Sequence, residues 1–129
     1  MDSKALIQEA IEAKKNSYSP YSNFAVGAAL LCKDGKIYRG CNIENGAYPT
    51  SMCAERVALF KAVSEGERDF IGIAIVSSSG EITPPCGACR QALSEFVKGD
   101  FKVILAKNQD EYKTYDFAEL LPLSFKLEK

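Results

Sequence analysis

The stretch that decides the fold runs from residue 71 to residue 106, IGIAIVSSSGEITPPCGACRQALSEFVKGDFKVILA. It opens with a nearly continuous apolar run, Ile71 to Ser77, which is typical of a buried strand. Pro84-Pro85 then interrupts the chain, Gly87 to Val97 favours a helix, and Lys102 to Ala106 favours another strand. The stretch therefore predicts sheet and helix in alternation.

The rest of the chain predicts the remaining elements of an α/β fold. Toward the amino terminus, we expect a helix over Ala5–Ala13 and two strands, Ala25–Cys32 and Lys36–Ile43, joined by the Asp34-Gly35 turn. A helix from about Cys53 to Ser64 follows, capped by Thr50 or Ser51. Toward the carboxyl terminus, we expect a short strand over Tyr112–Tyr115 and a helical turn over Phe117–Leu121. The order α-β-β-α-β-α-β-β implies a central mixed sheet with helices packed on its faces. No repeat or linker divides the 129 residues, so we expect one domain, residues 1–129.

Composition excludes several classes of function. The net charge of −1 provides no basic surface for nucleic acid or anionic lipid. No apolar run approaches the roughly 20 residues that cross a bilayer, and no signal peptide is visible, so we expect a cytoplasmic protein. Five cysteines, an odd number in such a chain, indicate metal or free thiols rather than a disulfide framework.

Two cysteine clusters indicate a metal site, Cys53-Ala54-Glu55 and Pro85-Cys86-Gly87-Ala88-Cys89. Three thiolates fill three corners of a tetrahedral zinc site and leave the fourth open, which distinguishes catalytic from structural zinc. Both clusters lie at predicted helix starts, where free N–H groups stabilise thiolate charge. A structural site needs a fourth ligand, and the remaining thiols, Cys32 and Cys41, lie in predicted strands, where a buried thiol is an ordinary core residue.

Glu55 is the candidate for proton transfer. The chain contains no histidine, which excludes Ser-His-Asp and Cys-His chemistry and leaves proton transfer to a carboxylate, lysine, tyrosine or thiol. Glu55 lies two residues from Cys53. The alternative is that Glu55 is an exposed acid in the first turn of the helix, where the helix dipole favours a negative charge. Arg56 is a plausible counter-charge for the three thiolates.

Polar and aromatic residues upstream are candidates for substrate binding. Asn42 and Glu44 differ by two positions, so they project from one face of an extended segment and could hold ribose hydroxyls. The alternative is a polar strand end before the turn at Gly46. Phe24 is either a core residue or a ring that packs on a planar base.

Together these motifs resemble those of the cytidine deaminase family, in its small, homotetrameric, three-cysteine form. The segments that carry the resemblance are Tyr18–Phe24, Val26–Leu30, Gly40–Asn45, Cys53–Arg56 and Pro84–Gln91, and only the tail after about Asn108 matches loosely. The resemblance implies a three-layer α-β-α fold with a five-stranded mixed central sheet. It implies hydrolytic deamination of cytidine and 2′-deoxycytidine to uridine and 2′-deoxyuridine in pyrimidine salvage, with release of ammonia and one Zn²⁺ per subunit.

The resemblance also assigns residues to roles. The metal ligands would be Cys53, Cys86 and Cys89, with Glu55 as the proton shuttle and Arg56 offsetting thiolate charge. The substrate contacts would be Phe24 on the pyrimidine, Asn42 and Glu44 on the ribose, and the backbone of Ala54 on the base carbonyl.

Assembly is a further expectation. The tail segment Leu123-Ser124-Phe125 is apolar for a chain terminus, which suggests that it docks. Phe125 could pack on its own subunit. Similarity to the homotetrameric deaminases instead implies a homotetramer in which Tyr48 and Phe125 reach the active sites of neighbouring subunits.

Three alternatives remain open. A deaminase of a cytosine nucleoside antibiotic such as blasticidin S would use a similar fold and similar ligands, although the Tyr18–Ser22 loop and the Asn42–Asn45 segment favour a simple nucleoside. A polynucleotide-editing deaminase is disfavoured by the small size and the lack of a basic groove. Outside enzymes, the chain could be a structural zinc or redox module, with a tetrathiolate site or a Cys86–Cys89 disulfide.

Overall fold

The computed structural model describes residues 1–128, which form a five-stranded sheet flanked by helices. The elements are α1 Ser3–Lys14, β1 Val26–Cys32, β2 Ile37–Cys41, a 3₁₀ turn Tyr48–Thr50, α2 Ala54–Ser64, β3 Phe70–Ser77, α3 Gly87–Ser94, β4 Lys102–Ala106, β5 Tyr112–Asp116 and α4 Phe117–Leu120. The predicted order of helices and strands is confirmed. None of the helices in residues 1–128 has the length and apolar character needed to cross a membrane.

The sheet is mixed, as its element order predicted. The strands lie in the order β2-β1-β3-β4-β5. β3 and β4 pair in parallel, with Ile73 opposite Val103, and the other three pairings are antiparallel. Parallel strands need a crossover connection, and α3 provides it between β3 and β4.

Helices cover both faces of the sheet, which confirms the three-layer α-β-α architecture. On one face, Leu6, Ile7 and Ala10 of α1 pack against a cluster that includes Ala29 of β1. On the other face, α2 and α3 cover Leu30 and its neighbours in the larger cluster. Alternate residues of β1 therefore serve opposite layers, as the two-residue period of a strand requires.

Two glycines let the helices approach the sheet closely. A Cβ at Gly27 in β1 would lie 2.1 Å from the carbonyl oxygen of Ala10 in α1. A Cβ at Gly40 in β2 would lie 2.3 Å from the carbonyl oxygen of Ala54, at the start of α2. Gly40 therefore determines how closely the first turn of α2 can approach the sheet.

Some predicted boundaries were wrong. β2 ends at Cys41 rather than Ile43, because Ile43 leaves the ladder and forms isolated bridges with Tyr18 and Met52. α3 ends at Ser94 rather than Val97, where the N–H of Phe96 already bonds the carbonyl of Leu93 in a tighter turn.

The predicted cap of α2 was also wrong. Cys53 occupies the N-cap position, without a side-chain capping bond. The hydroxyls of Thr50 and Ser51 are used elsewhere, since Thr50 Oγ1 donates to the carbonyl of Ala47 and Ser51 Oγ accepts from the N–H of Asn45. Both residues therefore stabilise the turn that precedes the helix.

Candidate active site

The starts of α2 and α3 bring three thiols together. Cys53 and Cys86 are the N-cap residues of α2 and α3, and Cys89 lies in the first turn of α3. The sulfur of Cys86 lies 3.6 Å from that of Cys53 and 3.3 Å from that of Cys89. Tetrahedral zinc with bonds of about 2.3 Å needs sulfurs about 3.8 Å apart. The three thiols therefore fit a zinc ion with little movement.

No fourth thiol joins this cluster among the described residues. Cys32 is buried in the core and Cys41 is half-buried in β2. This arrangement leaves one tetrahedral position for water or substrate, as a catalytic site requires, and gives no support to the tetrathiolate alternative.

The electrostatic environment favours thiolate at Cys53. The thiol of Cys89 donates to Cys53 and, with Arg56, lowers the pKa of Cys53 to about 5 against the opposing effect of burial. Arg56 Nη2 lies 3.5 Å from Cys53 Sγ, and this contact raises the pKa of the guanidinium. The same hydrogen bond to Cys53, together with burial, raises the pKa of Cys89. Arg56 is thus in direct contact with a metal-ligand candidate, as its predicted counter-charge role requires.

One donor of Arg56 has no protein partner. Within residues 1–128, the buried Nε atom of Arg56 makes no hydrogen bond. A buried donor without a partner is costly, and a guanidinium can donate to several acceptors at once. Arg56 can therefore donate a further hydrogen bond to a negatively charged group at the cysteine cluster.

Glu55 lies in the first turn of α2, and only 5 % of its surface is exposed. Burial raises the pKa of its carboxyl above the ordinary value, and the negative charge of Cys53 acts in the same direction. The carboxyl also interacts with Cys89. A carboxyl with a raised pKa that interacts with Cys53 and Cys89 is suited to accept a proton and return it.

A cavity of about 420 Å³ opens over this cluster. Its walls contain every predicted substrate residue except Phe125, namely Phe24, Asn42, Glu44, Tyr48 and Ala54, together with Cys53, Glu55, Arg56 and Cys86. A volume of this size suits a small organic molecule. Cys89 lies beneath the wall, fully buried.

Sequence reasoning missed other residues of the wall. Ser51 and Met52 precede Cys53, Thr83 and Pro84 precede the second cysteine cluster, and Val26 and Ile75 lie in β1 and β3. Proximity in the chain to each cysteine was a usable signal for the first four. The two strand residues had no signal of their own, because their alignment depends on the pairing of β1 with β3.

Asn42 and Glu44 both line the cavity, and both already form hydrogen bonds within the protein. In the side chain of Asn42, Oδ1 accepts from the backbone N–H of Val26, and Nδ2 donates to the backbone carbonyl of Phe24. Glu44 accepts from the N–H groups of Tyr21 and Ser22 and from the Ser22 hydroxyl, which lowers the pKa of Glu44. These two residues thus hold the loop that carries Phe24.

The two aromatic residues predicted to serve neighbouring subunits are both exposed. Tyr48 is 73 % exposed and meets Tyr21 edge to face, with ring centroids 6.4 Å apart. Phe125 is 68 % exposed and does not line the cavity, although its carbonyl accepts from Gln91 on α3. The alternative that Phe125 packs on its own subunit does not fit this exposure.

Comparison with known proteins identifies the family. Residues 1–106 match the family model for the cytidine and deoxycytidylate deaminase zinc-binding region. The chain is 52% identical over 128 residues to a cytidine deaminase of Halalkalibacterium halodurans, covering 99% of this chain and 97% of that protein. It is 48% identical over 128 residues to a cytidine deaminase of Sporosarcina psychrophila, covering 99% and 94% respectively.

Comparison with a solved structure supports the same family and shows the same fold. The chain superposes on a crystal structure of cytidine deaminase from Burkholderia pseudomallei with a TM-score of 0.91 and 44% sequence identity, covering 97% of this chain and 100% of that one. The predicted α/β fold, the zinc cofactor and the family resemblance are therefore confirmed. The chain belongs to the zinc-binding cytidine and deoxycytidylate deaminase family.

Proposed function

We propose that this chain hydrolyses the bond between C4 and the amino nitrogen of cytidine and 2′-deoxycytidine, giving uridine or 2′-deoxyuridine and ammonia. We also propose that it serves pyrimidine salvage as a single catalytic domain. The observation that carries the proposal is the buried Glu55 carboxyl beside three thiols at the floor of a nucleoside-sized cavity. Membership of the deaminase family supports it.

The metal residues define where the reaction occurs. Zinc held by Cys53, Cys86 and Cys89 would supply a water of lowered pKa at neutral pH. Arg56, in contact with Cys53 Sγ, reduces the negative charge that three thiolates would otherwise place around that water. Cys53 and Cys86 line the cavity, so a substrate bound there would lie next to the residues that would hold the metal.

Glu55 moves the protons. It accepts one from the attacking water and gives it to the ring nitrogen next to C4, which makes C4 electrophilic as the C–O bond forms. It then takes the proton of the new hydroxyl and gives it to the amino nitrogen. The C–N bond breaks, and ammonia leaves. One carboxyl can do both because burial raises its pKa and excludes bulk water.

The remaining cavity residues bind and orient the substrate. The Phe24 ring offers an apolar face to the pyrimidine, and the backbone of Ala54 is placed next to Glu55 to meet the base carbonyl. Asn42 and Glu44 bind sugar hydroxyls. This assignment directs C4 toward Glu55 and the thiols.

We further propose a cytoplasmic homotetramer with shared active sites. Aromatic side chains are enriched at interfaces between proteins, and Tyr48 and Phe125 are both exposed, which supports association between copies. Sedimentation should give a species of about four chains, and dilution to monomers should abolish activity. A fully active monomer would refute the shared site.

The decisive experiment is a spectrophotometric assay of the purified protein with cytidine, 2′-deoxycytidine and blasticidin S. We expect loss of absorbance with both nucleosides, loss of activity on chelation, and recovery with Zn²⁺. Activity only on blasticidin S would favour the antibiotic alternative. A metal-free active protein, or a reversible Cys86–Cys89 disulfide without deamination, would contradict the proposal.

Variants of the cysteines provide a matched control. Cys86→Ser removes one candidate ligand and should lower both the zinc content and the activity. Cys41→Ser changes a half-buried thiol in β2, outside the metal cluster, and should retain both.

A further inference from the structure

The orientation of the Asn42 carboxamide is determined by the backbone. The N–H of Val26 donates to Asn42 Oδ1 at 2.9 Å, and Asn42 Nδ2 donates to the carbonyl oxygen of Phe24 at 2.7 Å. A backbone N–H can only donate and a carbonyl can only accept, so exchanging the oxygen and nitrogen of the carboxamide would break both bonds.

Ser17 provides a third hydrogen bond to the same group. Ser17 Oγ lies 2.5 Å from Asn42 Oδ1, and because Oδ1 only accepts, the hydroxyl must donate. The segment around Ser17 is held in place by the N–H of Tyr18, which donates to the carbonyl of Asn42, and by the N–H of Glu44, which donates to the carbonyl of Tyr18. Ser17 does not line the cavity, whereas its hydrogen-bond partner Asn42 does.

These bonds leave Asn42 with a single free function. Both acceptor positions of Oδ1 and one N–H of Nδ2 are occupied by partners within residues 1–128. Asn42 can therefore offer a ligand one N–H donor and no acceptor. Glu44, an ionised carboxylate, can only accept.

A neighbouring donor and acceptor suit one kind of substituent. A hydroxyl group accepts one hydrogen bond and donates another, whereas an ether or a fluorine only accepts. The bond from Ser17 is one of three that hold the carboxamide, so it helps to keep the free N–H of Asn42 in place to donate to such a hydroxyl.

We propose that Ser17 is a positioning residue that, by donating to Asn42 Oδ1, holds the free N–H of Asn42 in place and so strengthens the preference of the Asn42–Glu44 pair for one sugar hydroxyl. The inference rests on the proposed function, because it assumes that the cavity binds a pyrimidine nucleoside. A purely structural role for Ser17, in which it only tethers the loop before Phe24, makes a different prediction. It would affect all substrates equally.

The test measures selectivity rather than activity alone. kcat/KM is determined for cytidine and for 2′-deoxy-, 3′-deoxy- and 5′-deoxycytidine, with the wild-type protein, Ser17→Ala, and the isosteric pair Ser17→Thr and Ser17→Val. Ser19→Ala is the matched control, because Ser19 Oγ lies 3.2 Å from Ser17 Oγ on the same loop, whereas the side-chain hydrogen bonds of Asn42 are to Ser17, Val26 and Phe24. The Thr/Val pair differs in the hydroxyl alone and so remains informative if Ser17→Ala folds poorly.

We expect one analogue to reveal the effect. For the analogue that lacks the recognised hydroxyl, the preference for cytidine should fall about 3- to 10-fold in Ser17→Ala and Ser17→Val, the contribution of one hydrogen bond. Ser17→Thr and Ser19→Ala should keep the wild-type preference. Equal losses on all four substrates, or no loss, would overturn the inference while leaving the proposed function intact. A wild-type protein inactive on every nucleoside would overturn both.

Discussion

Replacing Gly40 with alanine tests whether the packing of α2 on the sheet positions the catalytic groups. The new Cβ would lie 2.3 Å from the carbonyl oxygen of Ala54 and 2.5 Å from the nitrogen of Ala58. Both are backbone atoms of α2, so no side chain can move aside. The helix itself must shift, by about 1 Å if carbon and oxygen are to reach an ordinary contact distance.

The expected effect has two parts. Overpacking of this kind costs about 1–3 kcal/mol, and the double backbone contact favours the upper end, which corresponds to roughly 10 °C in Tm. The shift also moves Cys53 and Glu55, which begin α2, relative to Cys86 and Cys89 on α3. A displacement of about 1 Å can lower kcat/KM by up to about 100-fold.

Gly27→Ala separates the two parts. Its Cβ would meet the carbonyl of Ala10 at 2.1 Å, but α1 lies on the face of the sheet opposite the active site. We therefore expect a similar loss in Tm by calorimetry, with near-normal kcat and zinc content at 25 °C, because the displaced helix leads to Ser17 but not to the cysteines or Glu55. Equal activity in the two variants, or a Gly40→Ala protein with wild-type Tm, would refute the reasoning.

Four further predictions test other parts of the molecule. Glu55→Gln should keep its zinc and lose about 10²- to 10⁴-fold in kcat, and near-normal turnover of the metal-loaded variant would exclude a proton-shuttle role. Burial raises the pKa of Cys32 to about 12, so only about one thiol in 10⁴ is ionised at pH 8. Peptide mapping should find Cys32 unmodified by iodoacetamide until the protein unfolds. Rapid labelling of Cys32 in the folded protein would contradict this. Hydrogen bonds from Ser22 hold the pKa of Glu44 below its ordinary value of 4.5. The stability that these bonds provide is therefore complete above pH 4.5 and is lost as the pH falls through the folded-state pKa. The Tm difference between the zinc-free forms of wild type and Glu44→Gln should be present at pH 7 and shrink in acid, and a difference independent of pH would argue against this role. Phe125→Ala should raise KM, with Leu127→Ala, also exposed in the tail, as the control that leaves KM unchanged; identical KM values for both would count against the shared site.

The metal centre was predictable because the sequence features that mark it lie next to the cysteines themselves. Each cysteine lies within three residues of a helix start, and a helix start is visible in the sequence as a break followed by a helical pattern. The central strands were predictable for a similar reason, since Ile71 to Ser77 is apolar enough to require burial. The sequence could not predict that Cys53 itself caps α2, because Thr50 and Ser51 are better capping residues and only their bonds within the preceding turn remove them from that role.

The side of the cavity that we assign to the sugar could be predicted only in part, because its geometry depends on contacts between distant segments. The period of a strand places Asn42 and Glu44 on one face, but it says nothing about Ser17, which is 25 positions from Asn42. That hydrogen bond depends on the end of α1 reaching the segment after β2, where Tyr18 bridges Ile43. The two halves of the site therefore differ in what a substitution would do. Under the proposed function, a change near the cysteines would act on the chemistry directly, whereas loss of the Ser17 hydroxyl would act on substrate selectivity through Asn42.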